Sequence, residues 1–152
     1  MHVYADVFDS AMGPIYLRAN DDHLLSLDFD PDEFPETTTS NCLIEKAKTQ
    51  LGEYFSGQRR EFDLPFEIKG TQFQKKVLEA MISIPYGEVL SYSEVAFQIN
   101  HPAAFRAVGN ACNGNKLPLL IPCHRVVAAN GLGGFGCGLE KKSYLLRLEG
   151  YL

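Results

Sequence analysis

Ser91-Tyr92-Ser93-Glu94-Val95-Ala96-Phe97-Gln98-Ile99-Asn100-His101-Pro102-Ala103-Ala104-Phe105-Arg106-Ala107-Val108-Gly109-Asn110-Ala111-Cys112 is the stretch on which the fold turns. Its first four residues form a capping box, in which Ser91 and Glu94 satisfy each other's free backbone donors and start a short helix. Val95, Ala96 and Ile99 give that helix an apolar side. Asn100-His101-Pro102 breaks it. Pro102, with its fixed φ and missing donor, suits the first turn of a second helix running from Ala103 to about Cys112. Two short helices joined by a three- or four-residue turn make a helix-turn-helix candidate. Such pairs are also common in protein cores, so the pattern alone leaves DNA binding open.

Just upstream, Thr71-Gln72-Phe73-Gln74 is another capping box, opening a helix with Phe73, Val77, Leu78, Met81 and Ile82 on one face. Pro85 and Gly87 end it. Downstream, Asn113-Gly114-Asn115 closes the second helix of the pair. The apolar run from Leu117 to Val127 cannot be an ordinary central strand, because Pro118 and Pro122 lack ladder donors. Residues 130–138 hold five glycines, a loop whose backbone can approach a ligand closely. No Gly-Lys-Ser or Gly-Lys-Thr follows, so it is not a phosphate-cradling P-loop. Glu140 opens a last helix with Tyr144, Leu145 and Leu148 on one face and Gly150 as its cap.

The first seventy residues read differently. Val3 to Phe8, Ile15 to Leu17 and Leu24 to Phe29 are short strands separated by turn chemistry at Met12-Gly13-Pro14 and Asn20-Asp21-Asp22, an antiparallel meander. A polar loop from Pro31 to Ser40 leads to a helix from about Asn41, with Leu43, Ile44, Ala47, Leu51, Tyr54 and Phe55 at helical spacing and Gly57 as its stop. Arg59 to Gly70 is a connecting segment. The expected class is α/β in the α+β sense. A strand-rich N-terminal domain, residues 1–70, precedes a mostly helical domain, residues 71–152, that carries the helix-turn-helix.

The 152 residues carry 14 Lys and Arg against 19 Asp and Glu, a net charge of -5, which on its face argues against a nucleic-acid partner. The charge is unevenly placed. Residues 1–70 hold 6 basic and 14 acidic side chains, and residues 71–152 hold 8 and 5. No acidic residue falls between Glu94 and Glu140, while Arg106, Lys116 and Arg125 do, so an anionic partner for the second half stays open. No apolar run is long enough to span a membrane, and the N-terminus has no secretory pattern. Cys42, Cys112, Cys123 and Cys137 show no close pairing, so disulfides and a zinc site are not expected.

Ile121-Pro122-Cys123-His124-Arg125 is the most reactive grouping, because adjacent cationic groups favour the thiolate, which is the useful nucleophile. In extended backbone Cys123 and His124 face opposite ways, so cooperation needs a bridging water or a bend after Pro122. Glu140 and Glu149 are the downstream carboxylates that could orient the histidine. A cysteine beside a histidine is, on its own, more often a buried structural thiol.

Pro122-Cys123-His124-Arg125-Val126, with Asn115 eight residues before the cysteine, resembles the active-site signature of the O6-alkylguanine-DNA alkyltransferases. The similarity runs in order through Phe73-Gln74, Ile84-Pro85-Tyr86-Gly87-Glu88-Val89, Ser91-Tyr92, Arg106-Ala107-Val108-Gly109 and Leu145-Leu146-Arg147-Leu148-Glu149-Gly150, covering residues 71–152. Residues 1–70 fit the family's variable N-terminal domain only loosely. The resemblance implies direct-reversal DNA repair, an irreversible, single-turnover transfer of an alkyl group from O6-alkylguanine to the protein's own cysteine, with O4-alkylthymine as a further candidate substrate. It implies Cys123 as acceptor, His124 as base through a water, Glu149 as its orienter, Asn115 as a brace and Tyr92 beside the departing purine. It places Arg106 in the space left by a flipped nucleotide, with Ala104, Phe105, Ala107, Gly109 and Arg125 along the DNA. Tyr92, Val126, Phe135, Gly136 and Cys137 would line the pocket. The implied partner is double-stranded DNA read in the minor groove by a cytoplasmic monomer that needs no cofactor or metal.

Two departures from the family pattern stand out. Phe105 occupies a position that is usually small on the groove-facing helix, where a ring could wedge against the duplex. Gly136-Cys137 replaces a small hydroxyl–glycine pair. Two other readings compete: a damage-recognising relative without transfer activity, against which the cysteine counts, and a cysteine hydrolase using Cys123 and His124, which leaves the helix-turn-helix unexplained.

Overall fold

The computed structural model describes residues 2–134 and 138–152. The chain divides into two compact units, Met1–Glu67 and Ile68–Leu152. The first holds three antiparallel strands in the order β1 (Tyr4–Ser10), β2 (Gly13–Ala19) and β3 (Leu24–Asp28), with α1 (Cys42–Phe55) packed on β1 and β2. Alternation puts Ile15, Leu17 and Ala19 of β2 into the core, where they meet Ile44, Ala47, Leu51 and Tyr54 of α1. β1 and β2 run further than the sequence reading expects, whereas β3 stops one residue earlier, at Asp28. Ser10 Oγ accepts from Met12 N at 3.1 Å and donates to Gly13 O at 2.6 Å, so the turn tightens to Ala11-Met12 and Pro14 falls inside β2. Pro14 pairs with Asp9 of β1 but lies outside the stretch from Tyr16 to Ala19 that β3 covers, where a missing donor matters less.

Asn41 caps α1, accepting from Ile44 N at 2.9 Å. Gly57, at φ +80°, ends the helix in a left-handed cap with Gly57 N donating to Tyr54 O and Gln58 N to Glu53 O. The Arg59–Gly70 connection is partly woven into this unit. Leu24 N donates to Pro65 O at 2.9 Å, and the buried Gln50 side chain exchanges hydrogen bonds with the Asp63 backbone.

The second unit contains α2 (Gln72–Ile82), β4 (Leu90–Ser91), α3 (Tyr92–Gln98), α4 (Phe105–Asn113), a 3-10 turn at Cys123–Arg125, β5 (Val126–Val127) and α5 (Leu139–Leu148). Both capping boxes form, Thr71 with Gln74 and Ser91 with Glu94. Val77, Leu78, Ala80 and Met81 are the buried side of α2. Ile82, placed by sequence on that side, is 40% exposed because the helix ends there and turns away. Asn100, at φ +65°, closes α3 in a Schellman motif, with His101 N donating to Ala96 O and Asn100 N to Phe97 O. Pro102 lies in the connecting turn rather than in the first turn of the next helix. α4 begins at Phe105, after Ala104 N bonds His101 O, and no side chain caps it. In α5 the buried face is Lys142, Leu145 and Leu146, not the Tyr144–Leu145–Leu148 face read from spacing. No helix among the described residues is long and apolar enough to cross a membrane.

Candidate active site

Two two-residue strands assemble the site. Leu90 pairs with Val126 and Ser91 with Val127 in parallel register, which sets the first turn of α3 beside the turn carrying Cys123. Tyr92 follows directly from Ser91, so the capping box that starts α3 also fixes where the phenol begins. The cysteine segment is held from its other side by Asn115. Its Nδ2 donates to Ile121 O at 2.8 Å while its Oδ1 accepts from Leu117 N at 3.0 Å. Between them Leu119 takes φ +78°, a left-handed conformation costly for a leucine and kept by the bracing around it.

Pro122 is followed by a bend. Cys123 N bonds Ile121 O at 2.8 Å across Pro122, and Arg125 N to Pro122 O at 3.0 Å with Val126 N to Cys123 O closes a 3-10 turn over Cys123, His124 and Arg125. Successive side chains on such a turn are about 120° apart instead of opposed, which removes the geometric objection to cooperation between Cys123 and His124. Cys123 is 7% exposed and His124 1%. His124 Nε2 lies 2.7 Å from Glu149 Oε2. Burial, as the leading cause, holds the imidazole pKa below its ordinary 6.5 despite the opposing pull of Glu149. The ring is therefore neutral, donating from Nε2 to the carboxylate and keeping a lone pair on Nδ1. That Nδ1 is buried with no hydrogen-bond partner among the described residues.

Glu149 is the hub. Besides His124 it receives Arg125 Nε at 2.8 Å, Arg125 Nη2 at 3.0 Å and, more weakly, Gly87 N at 3.4 Å. Arg125 Nη1 donates to Ile84 O at 2.8 Å. Arg125, expected along the DNA, is thus 7% exposed and committed to Glu149. A buried carboxylate needs a paired cation, and Arg125 supplies it through two nitrogens. Glu140, the other carboxylate open from sequence, lies exposed in the first turn of α5.

Tyr92 OH donates to Gly134 O at 3.3 Å, and burial raises the phenol pKa above 10.0, so it is protonated at neutral pH. Gly133, at φ +74°, brings the loop against this ring: a Cβ there would lie 2.9 Å from Tyr92 Cε2 and 3.0 Å from Ala128 N. Gly109 is half-buried against the same ring, where a Cβ would lie 3.8 Å from Cε1. On α4, Phe105, Arg106 and Ala107 are exposed and Ala104 is half-buried, with the Arg106 guanidinium 6.0 Å from the Phe105 ring centroid. Val126 is fully buried in β5. Phe135, Gly136 and Cys137 lie outside the described residues.

One participant was not singled out from sequence. Lys142 is 0% exposed, and its Nζ donates to Val126 O at 2.6 Å and Gly134 O at 3.0 Å. The signal was a lysine three and four residues before Leu145 and Leu146, on the stripe that should face the core. Cys112 is buried with its Sγ 3.4 Å from Met81 Sδ, and burial pushes its thiol up to about 12, so it is a packing residue.

Residues 72–151 match the family model for the DNA-binding domain of 6-O-methylguanine DNA methyltransferase, and residues 3–68 match that for its ribonuclease-like domain. A methylated-DNA–protein-cysteine methyltransferase of Methanosarcina barkeri is 43% identical over 153 aligned positions, covering 97% of each chain. One from Mycobacterium tuberculosis is 39% identical over 97% of this chain and 92% of its own. Among solved structures, the M. tuberculosis O6-methylguanine methyltransferase superposes with a TM-score of 0.87 at 38% identity, covering 97% of this chain and 93% of that one. A structure of the M. tuberculosis protein in complex with DNA gives 0.87 at 39%, covering 98% and 92%. Matched across both units, with the cysteine turn, its histidine and its carboxylate in place, the chain belongs to the 6-O-methylguanine DNA methyltransferase family.

Proposed function

We propose that the chain repairs DNA by direct reversal, moving an alkyl group from O6-alkylguanine in a duplex onto Cys123. The observation that carries the reading is a neutral, buried His124 oriented by Glu149, with an open Nδ1 on the same 3-10 turn as the cysteine. His124 takes the thiol proton through a water. The thiolate attacks the alkyl carbon in line, the new S–C bond forms, and the C–O6 bond breaks with its electron pair passing to guanine. Tyr92 gives its hydroxyl proton to the purine ring nitrogen, and the proton held by the imidazolium returns to the phenolate through solvent, so the net proton lost by the thiol is gained by the restored guanine of the duplex. The thioether has no leaving route, and one turnover consumes the protein. Because the target atom lies inside the stack, the nucleotide is flipped out. Arg106, exposed on α4, fills its place from the minor groove, with Phe105 and Ala107 flanking it.

The test is incubation with a duplex carrying O6-methylguanine, followed by peptide mass mapping of all four cysteines. Methyl on Cys123 and restored guanine are expected. Unmodified Cys123 beside unrepaired DNA would refute the reading. In the same assay Arg106→Ala slows repair of the duplex far more than reaction with the free alkylated base; equal losses remove its role in flipping.

A further inference from the structure

We infer that Tyr86 is a positioning residue for alkyl transfer: its ring covers the buried Arg125 guanidinium, and the turn that carries it holds Glu149 against His124. This rests on the reading of Cys123 as acceptor and His124 as its base. Ile84-Pro85-Tyr86-Gly87-Glu88 lies between α2 and β4. Glu88 N donates to Pro85 O at 3.1 Å, and Gly87 takes φ +83°, the left-handed value that a type II turn requires at its third residue. This short segment touches the buried ion pair from several sides. Arg125 Nη1 donates to Ile84 O at 2.8 Å, and the Arg125 guanidinium lies 5.8 Å from the Tyr86 ring centroid. Tyr86 OH donates to Leu148 O at 3.2 Å, one residue before Glu149, and Gly87 N reaches Glu149 Oε1 at 3.4 Å. The backbones are close as well: a Cβ on Gly87 would lie 3.1 Å from Glu149 O.

Packing alone does not account for the tyrosine. An apolar side chain would cover the same half-buried spot, but it would offer neither a π face to a cation nor a hydroxyl to a carbonyl. Tyr86 sets its ring on Arg125 and its hydroxyl on the carbonyl beside Glu149, the carboxylate that Arg125 pairs with. A cation on an aromatic face gains most when water is kept away, and Arg125 is 7% exposed. Because Arg125 and His124 share Glu149, what holds the guanidinium also holds the carboxylate that aims the imidazole. The charged groups facing His124 are Glu149 and Lys142 from the α5 side and Arg125 from its own turn, and burial is the first cause keeping its pKa below 6.5. Without the ring, water reaches Arg125 and Glu149, the imidazole loses part of its burial, and its pKa rises toward 6.5.

The experiment compares wild type with Tyr86→Phe, Tyr86→Leu and Tyr86→Ala. It follows the His124 imidazole by NMR titration of the free protein. It also measures the single-turnover rate constant at saturating duplex and the DNA-binding midpoint. Tyr86→Ala raises the imidazole midpoint toward 6.5. Its rate constant falls about tenfold to a hundredfold, the scale of a small misplacement near a reacting centre, while binding holds within about twofold. Tyr86→Phe keeps the ring over Arg125 and rescues the imidazole midpoint and most of the rate. Tyr86→Leu, without an aromatic face, falls between phenylalanine and alanine in both. The inference requires both changes. An unmoved imidazole midpoint in Tyr86→Ala overturns it, because a general loosening of the fold slows transfer without wetting one imidazole. A rate within about twofold of wild type, or a loss lying wholly in DNA binding, overturns it too. Should Tyr86→Ala not fold, Tyr86→Leu decides alone: a midpoint and rate equal to those of Tyr86→Phe overturn it. A wild-type protein that leaves methylated DNA untouched defeats the acceptor reading instead, while the imidazole titration still reports on Tyr86.

Discussion

In the N-terminal unit the ion pairs lie at the surface: Arg18 with Asp28, Lys46 with Asp63, Arg59 with Glu53 and Lys48 with Asp6 keep between 24% and 91% of each side chain exposed. In the C-terminal unit His124, Arg125, Lys142 and Glu149 are 1%, 7%, 0% and 5% exposed, and every one is engaged inside the same short stretch of chain. Surface pairs contribute about 0–1 kcal/mol each and tolerate replacement. Burying an ion costs several kcal/mol before its partners repay it, so an apolar core is the cheaper way to hold a fold together. The first unit follows that rule, with Gln50 as the buried polar side chain among its described residues and neutral at that. The second departs from it around the cysteine, where a neutral imidazole, a fixed carboxylate and a fixed ammonium have chemical uses.

Removing one carboxylate from each unit tests the contrast. The largest effect belongs to Glu149→Gln. It leaves the Arg125 guanidinium buried without its anion and His124 without its orienter, since one carboxylate serves both. Loss of one partner of a buried pair costs about 3–5 kcal/mol, a large part of the roughly 5–15 kcal/mol that holds a typical protein folded. Urea unfolding measures the first consequence, and transfer from methylated DNA at a temperature where the variant is folded measures the second. Stability within about 1 kcal/mol of wild type would mean that the pair contributes no more than a surface pair does.

Acidification probes the same network more gently. The folded-state pKa of His124 lies below the ordinary 6.5, chiefly through burial. Neutral imidazole is the proton acceptor, so the transfer rate holds as pH falls to 6.5 and declines only on passing the lower folded value. Stability follows the same sign. Between the two values the unfolded chain binds a proton that the folded one does not, so stability falls as pH drops below 6.5 and levels off below the folded pKa. A pH–rate profile with its acid midpoint at or above 6.5 would contradict a neutral, buried base.

What could be read from the sequence, and what could not, divides along the range of the interactions. Both capping boxes and the glycine cap of α1 are legible because their chemistry closes within a few residues. The order of the site residues along the chain is legible through the signature around Cys123. The pairing of Leu90 with Val126 is not, because two-residue strands carry no periodicity and the partners are far apart in sequence. Nor does charge type reveal burial: the resemblance sets Arg125 along the DNA and the sequence reading does not single out Lys142, yet both side chains are buried. The basic surplus of the second half is correspondingly smaller at its surface than by count. Pro102 misled by one turn, since a proline suits the residues just before a helix as well as its first position.

The smallest expected effect completes the contrast, because it makes the same carboxylate-to-amide change outside the site. Asp6 on β1 pairs with Lys48 on α1, both side chains 24% exposed. The lysine hydrogen bond is the first cause holding the Asp6 carboxyl below the ordinary 3.8, with burial opposing it. A carboxylate with a depressed folded pKa contributes its stability above the unfolded value and loses it as pH falls through the folded one. At neutral pH the contribution is therefore fully present, and Asp6→Asn removes it. With both groups reachable by water, the loss is about 0–1 kcal/mol, smaller still at high salt, and vanishes in acid below the folded pKa. Urea unfolding at neutral and acid pH measures this directly, and alkyl transfer by the variant stays at the wild-type rate. If Asp6→Asn proved as damaging as Glu149→Gln, burial would not be what separates the charges of the two units. If both were mild, the buried cluster would owe its persistence to the reaction alone, and only the transfer rate would distinguish the two carboxylates.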